Sequence, residues 1–587
     1  MTIYEILRDA ETNYKQGTTS LGEHVQWSMR ETIERTIAYL NSKHLTGDKD
    51  SLGRDKPFYN IVSSAVNIWY RATDLDRKDI VVIPSKTTDV GLAFVATVHL
   101  QEWMKKARFG VFLNQWGRTL AQFGSAVVKF IEQDGELFAT VVPWSRMIVD
   151  PVDFNAIPKI EKFYLTPAQL RKKEEYNKEM VEKLIKEAGK RETIAGQVVD
   201  NQDGFIEIYE IHGELSQEVY NNSKGAEVKE GDANIYFQQM HVVSYIENSK
   251  GEFIDFTLYS GKESKDPYMI THLIPEEGRT LAIGAVEYLF DSQWMQNHVI
   301  KNMKDQLDIT SRIMFQTSDQ RFVGRNVLTN VESGAILSHD LNKPLTQVNS
   351  VGHDITSLKL FADQWKVLER EITSTPDAAR GTTPPSGTPY STTALLTSQG
   401  LSLFELMTEN KGHAVEDMLR THIIPHLKKK MDTADEISAT LEERDIHKLD
   451  SMYVPREAIR RFNKRLVGQV IEMGDNQNEQ VLSPFVPQNE QQLVRQELGQ
   501  LGNQRFFKPS EVANTTWKKA LKDLEWNLDV GITNEQHDKS VILQSLSTTF
   551  QTLASLAGRP MTPDEKLIFN KIMTQTGSVS PVELSAV

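Results

Sequence analysis

The chain of 587 residues contains no cysteine. Disulfide staples, thiolate catalysis and cysteine-based zinc sites are excluded together, and the absence suits a protein made in a reducing cytoplasm. No uninterrupted run of about 18 apolar residues exists, so no segment reads as a membrane-spanning helix. The first residues, MTIYEILRDAETNYKQ, lack the basic-then-apolar order of a secretory signal and read as a helix with one apolar side. No GxxxxGK[ST] phosphate loop, GxSxG elbow or kinase-like motif set occurs. His422 and His426 stand at i,i+4, a spacing that can chelate a metal. Pro425 lies between them and no HExxH glutamate accompanies them, so they read as an incidental pair. The expected cofactor list is therefore empty, and no residue is singled out as catalytic.

Positive charge is also in short supply. The formal net charge is −14, whereas a protein that grips nucleic acid over its general surface is usually basic, because affinity comes from counterion release at phosphates. Surrounding nucleic acid, or touching it at a local patch, stays open. The remaining composition is that of an ordinary globular chain, with 39% hydrophobic and 25% charged residues. The length exceeds what one hydrophobic core supports, and no internal repeat is visible.

The first half reads as mixed α and β. PFYNIVSSAVNIWYRATDLDRKDIVVIP carries Ile61, Val62, Val66, Ile68 and Trp69 at helical spacing, then a short strand at Ile80–Ile83. Residues 89–123 read as helical up to Phe123-Gly124. SAVVKFIEQDGELFATVVP has two β-rich runs around Asp134-Gly135, a hairpin signal. Residues 159–193, rich in Lys and Glu, read as a solvated helix face. FIEIYEIHGEL, IYFQQMHVVSYI and EFIDFTLYS read as strands.

From Leu281 the pattern changes. Val286, Leu289, Phe290, Ile300, Met303 and Leu307 predict one helix of about 28 residues, or about 40 Å. A small insert with strand-like runs follows, then a helix over Asp354–Ile372. Next comes ITSTPDAARGTTPPSGTPYSTTALL, rich in Pro and small residues, and a long helix from Thr393 to Lys430 capped by Ser391 or Thr392. The remainder reads as mostly helical, with loops at NQNEQVLSPFVPQNEQ and NQRFFKPSE and a strand-like WNLDVGITNEQ.

That order (helix, small β-rich insert, helix, loop, long helix) resembles the portal proteins of tailed bacteriophages. PFYNIVSSAVNIWYRATDLDRKDI is similar to the family's N-terminal segment. FGSAVVKF with VVPWSRMIVDP is similar to its wing hairpin. EEGRTLAIGAVEYLFDSQWMQNHVIKNMKDQLD looks like the start of its stem. PPSGTPYSTTALL with LFELMTENKGHAVEDMLRTHIIPHL looks like its tunnel loop and long wing helix. The likeness covers residues 50–430. It implies an α+β portal fold. The parts would be a wing over 1–280, a first stem helix over 281–311, a small β-rich clip over 312–353 and a second stem helix over 354–372. A tunnel loop over 373–393, the long wing helix with the rest of the wing over 394–534, and a helical C-terminal crown over 535–587 would complete it.

The resemblance further implies a homo-oligomeric ring, a dodecamer, at one capsid vertex, through which double-stranded DNA is packaged and ejected. The implied partners are the terminase motor, the major capsid protein, the scaffold protein and neck or tail adaptor proteins, with no membrane. The implied location is the virion, after assembly in the host cytoplasm. A ring of twelve helices about 10 Å apart encloses an opening near 28 Å, wider than a duplex of roughly 20 Å. Such a ring suits a conduit better than a reader of bases.

The tunnel loop would offer Arg380, Thr382, Thr383, Ser386, Thr388 and Tyr390 to DNA. Lys301 and Lys304 would ring the stem channel, or form a solvated face with Asp305 and Asp308. Arg312, Arg321 and Arg325 would serve clip docking or subunit salt bridges. The alternatives are a DNA-processing enzyme such as a terminase subunit or nuclease, a different connector ring, and a scaffold with no DNA role.

Overall fold

The computed structural model describes residues 2–51, 53–75, 80–83, 90–188, 204–247, 252–310, 355–374 and 402–432, with short stretches between 314 and 348 and between 437 and 530. The class is α+β.

Thr2 and Glu5 form a reciprocal capping box that starts α1 (Ile3–Gln16). A small hairpin, β1 (Thr19–Gly22) and β2 (Val25–Trp27), leads to α2 (Met29–Leu40), and a polar loop leads to α3 (Val62–Ala72) and β3 (Ile80–Ile83). The helical reading of 89–123 resolves into α4 (Val90–Lys106) and α5 (Phe109–Phe123), separated at Arg108, which lies at φ 51. α5 ends on Gly124 at φ 74. A Cβ there would lie 2.6 Å from the Ile283 carbonyl carbon, so a bare backbone is required twice over.

The hairpin β4 (Ser125–Gln133) and β5 (Glu136–Val142) turns on Asp134 (φ 53) and Gly135 (φ 74), the doubly left-handed turn that matches strand twist. A short β6 (Met147–Ile148) and β7 (Lys159–Leu165) follow. The solvated-helix reading of 159–193 is therefore corrected over its first seven residues: KIEKFYL is a strand, with Ile160 buried and the charges of Lys159 and Glu161 paired inside. Helical structure begins only with α6 (Pro167–Lys172) and α7 (Lys178–Ala188).

β8 (Ile206–Ser216), α8 (Gln217–Lys224), β9 (Tyr236–Glu247) and β10 (Phe253–Lys262) complete an antiparallel five-stranded sheet of order β10-β9-β8-β7-β6. Its alternation assigns the faces: Tyr209, Ile211 and Val243 pack with Ile3 and Leu7 of α1, while Ile208, Val242 and Phe256 pack with Val181 and Leu184 of α7. β11 (Tyr268–His272) joins β4 and β5 in a three-stranded sheet.

The two sheets meet through buried charges. Lys129 Nζ of β4 donates to Glu161 Oε2 at 3.0 Å and Glu210 Oε1 at 2.7 Å. His212 lies between Glu210 and Glu263, at 2.5 and 2.8 Å. Burial works against a charged His212, but its two carboxylate partners outweigh it and raise the imidazole above its ordinary value.

The single helix expected over 281–311 is divided. α9 (Ala285–Tyr288) and α10 (Phe290–Thr310) are separated at Leu289, and residues 281–284 are not helical. Those four lie against the end of α5, where a Cβ on Gly284 would meet Gln122 O at 2.4 Å. β12 (Met314–Gln316), β13 (Thr346–Val348) and α11 (Ile355–Ile372) follow. The long helix is described from Ser402: α12 (Ser402–Met418), a π turn (Leu419–Ile423) and α13 (Ile424–Asp432).

Residues 437–530 contribute β14 (Ile437–Thr440), α14 (Gln488–Gln500), β15 (Gln504–Phe507) and β16 (Asn527–Val530). NQRFFKPSE, expected as a loop, thus supplies a strand that pairs with β14. β16 pairs with β3, bringing Asn527 opposite Ile83. The principal core joins Trp69, Trp116, Val128, Phe404 and Met418.

Candidate functional site

The region where the stem and clip were expected is an antiparallel pair of helices. Gln296 Nε2 of α10 donates to Ala362 O of α11 at 2.6 Å. Farther out, β12 and β13 pair in antiparallel register, with Met314 opposite Val348. At the inner end, Trp69 of α3 meets the Tyr288 ring at 6.1 Å and donates from Nε1 to Thr373 O at 3.0 Å.

Buried amides clamp the inner end to the segment before α3. Gln293 Oε1 accepts from Ile61 N at 2.9 Å, and Gln293 Nε2 donates to Tyr59 O at 2.6 Å. Asn297 Oδ1 accepts from Tyr59 N at 3.0 Å. The same α3 terminus holds α12. Lys411 Nζ is fully buried and donates to Thr73 O, 5.4 Å from the Trp116 ring centre. Burial pushes this amine down to about 8. One turn of α3, Trp69–Thr73, therefore anchors both the end of α11 and the middle of α12.

The sides of α11 are the reverse of what a monomer needs. Ala362, Glu369 and Thr373, small or polar, are buried. Leu360, Phe361, Val367, Leu368 and Ile372 share the opposite arc of the helix and are 63, 42, 52, 42 and 44% exposed. On α10, Trp294 is 54% exposed, and its ring stacks on His298 at 5.4 Å.

Lys301 lies on the Trp294–His298 side of α10 and is half-buried. Lys304 instead reaches the N-terminal loop and donates to Asp55 O at 3.2 Å. Asp305, the expected partner of these lysines, pairs with Arg54 at 3.3 Å. The structure thus separates the two lysines: one lies on an outward stripe, the other ties α10 to residues 54–56. Arg380, Thr382, Thr383, Ser386, Thr388 and Tyr390, and likewise Arg312, Arg321 and Arg325, lie outside the described residues. His422 stacks on Phe130 at 4.1 Å. Among the described residues no group of three or more His, Cys, Asp or Glu is arranged to hold a metal.

Sequence reasoning missed the outward apolar arc of α11 and the buried Lys411. The first had a signal, five apolar residues sharing one helical face, but periodicity names a face without saying what covers it. The second had none, since a lysine among Asn410, Gly412 and His413 reads as solvated. No protein-family model and no curated protein matches the chain.

Proposed function

We propose that the chain is the subunit of a ring, similar to the portal proteins of tailed phages, that conducts double-stranded DNA into and out of a capsid. The observation that carries this reading is the apolar face that α11 turns away from its own chain. Its five large side chains leave roughly 450 Å² of apolar surface open, within the range of the largest patches on monomers, which are often functional. Covering it contributes on the order of 11 kcal/mol at about 25 cal/mol per Å². That offsets an association cost of about 4–15 kcal/mol once surrounding contacts are added. A second copy of the same chain is the natural cover, because a projecting helix pair has two flanks. A contact between unlike flanks repeats head to tail and closes into a ring.

A ring of such pairs encloses a lumen lined by helices. The net charge of −14 per subunit disfavours tight phosphate binding and favours a sliding duplex. In this reading α10 and α11 are the stem, β12 and β13 begin the clip, and the terminase motor and later the neck or tail proteins dock there. The capsid and scaffold proteins contact the α/β body, and the chemistry is non-covalent. Negative-stain images of the purified full chain test the reading. Rings with a stain-filled centre wide enough for a duplex support it. Compact monomers at all concentrations, or two-fold dimers with no central hole, overturn it.

A further inference from the structure

The long helix changes phase at one place. Phe404, Met407, Lys411, Val415 and Met418 form one buried row at helical spacing. Continued regularly, that row would bury His422, Pro425 and Lys429. The π turn inserts one residue, with Ile424 N–H bonding to Leu419 O five residues back. The buried row resumes instead at Leu419, Ile423, Leu427 and Met431.

Pro425 has no N–H, so the carbonyl of Thr421 has no regular helical donor. Lys265, from the loop between β10 and β11, donates its ammonium to that oxygen. The helix is thus weakened at one point and held there by a side chain from another element.

The segment beyond this point packs Leu419, Ile423, Ile424, Leu427 and Met431 into the principal core, and its imidazoles lie at the edge of that contact, against the β4–β5 hairpin. His422 stacks flat on Phe130 of β4, at 4.1 Å and 10°. His426 Nε2 is buried without a hydrogen-bond partner, as are both ring nitrogens of His99 on the facing α4. Lys265 and Asp266 face His422. Glu132 and Glu136 of the hairpin and Lys429 and Lys430 of α13 face His426. Glu102, Lys106, Lys430 and Glu136 face His99. Lys430 and Glu136 pair across this interface, so one acid is already engaged.

We propose that residues 419–432 form a hinged arm, pivoting at the π turn and Pro425, whose docking on the β4–β5 hairpin is released when His422, His426 and His99 take up protons. The arm then swings about the Lys265–Thr421 contact, while α12, pinned by Lys411 to α3, stays in place. Burial holds all three imidazoles below their ordinary value, His422 at about 4. The undocked arm carries ordinary histidines, so acid favours it. This device needs no ring and stands independently of the function proposed above.

Hydrogen-exchange mass spectrometry on the full chain, read as protection factors at pH 7.5 and pH 5.0, tests it. An imidazole moved from 6.5 to about 4 favours the open arm roughly 30-fold at pH 5.0. Protection in 420–432 should fall by about that factor while protection in 404–418 holds. His422→Phe keeps a flat ring on Phe130 without a titrating group and should remove most of the fall. The proposal is overturned if protection in 420–432 is unchanged, if both segments lose protection together, or if His422→Phe shows the wild-type fall.

Discussion

Replacing Lys411 with methionine should stabilise the protein near neutral pH. Methionine fills nearly the same volume with no charge to desolvate. The amine is completely buried, and burial brings it from 10.5 to about 8. That depression corresponds to roughly 3 kcal/mol. A lowered amine means that the unfolded chain binds more protons between pH 8 and 10.5. The lysine penalty is therefore fully present below pH 8 and disappears as pH rises to 10.5. The substitution also removes the donor to Thr73 O and the ammonium over Trp116. Those contacts are worth about 1–2 kcal/mol together. The net gain at pH 7 should be about 1–2 kcal/mol, or a rise of a few degrees in the midpoint of the unit that contains α3 and α12. Differential scanning fluorimetry from pH 6 to 10.5 reads both parts. The wild type should gain stability across pH 8–10.5 and Lys411→Met should not. A variant less stable than wild type at pH 7, or one that keeps the alkaline rise, would refute the reasoning.

The junction of the two sheets should respond in the opposite direction. His212 is raised by Glu210 and Glu263, so its contribution is fully present below pH 6.5 and is lost as pH rises through its folded value. His212→Gln should flatten that part of the stability profile in the same scan. Lys129→Met leaves Glu161 buried without its cation and Glu210 with His212 alone, and should cost about 3–5 kcal/mol by chemical denaturation. Gly124→Ala places a Cβ 2.6 Å from backbone at φ 74 and should cost about 2–4 kcal/mol, with reduced soluble yield as the first sign.

Local grammar was legible in the sequence. Asp134-Gly135 marked its hairpin, Gly124 ended α5, and the three strand-like runs became β8, β9 and β10. The helix expected over 354–372 is α11 within a residue. Each of these rests on signals a few residues apart. What failed depends on partners remote in the chain. KIEKFYL reads as charged until Lys129 arrives from β4 and Asp266 from the loop before β11. QRFF reads as a loop until Ile437–Thr440 lies beside it. Leu281–Gly284 continues a helical pattern, but the close approach of its backbone to Gly124 is a tertiary demand.

The candidate site was legible only as an order of elements. Composition marked Lys301 and Lys304 alike, whereas the loop at 54–56 takes one and leaves the other. The phase change at Leu419 was signalled only by Pro425, because a π turn leaves no compositional trace. Arg312, Arg321 and Arg325, and Arg380 with the hydroxyl residues up to Tyr390, lie outside the described residues.

The central claim is that a neighbouring copy covers the outward side of α11, and sedimentation velocity of Leu368→Glu beside the wild type tests it most directly. Leu368 is 42% exposed in the single chain, so the substitution should leave the far-UV circular dichroism of the fold unchanged. The account predicts a large closed assembly for the wild type and a folded monomer for the variant. A variant that assembles like the wild type, or a wild type that sediments as a monomer, would contradict it.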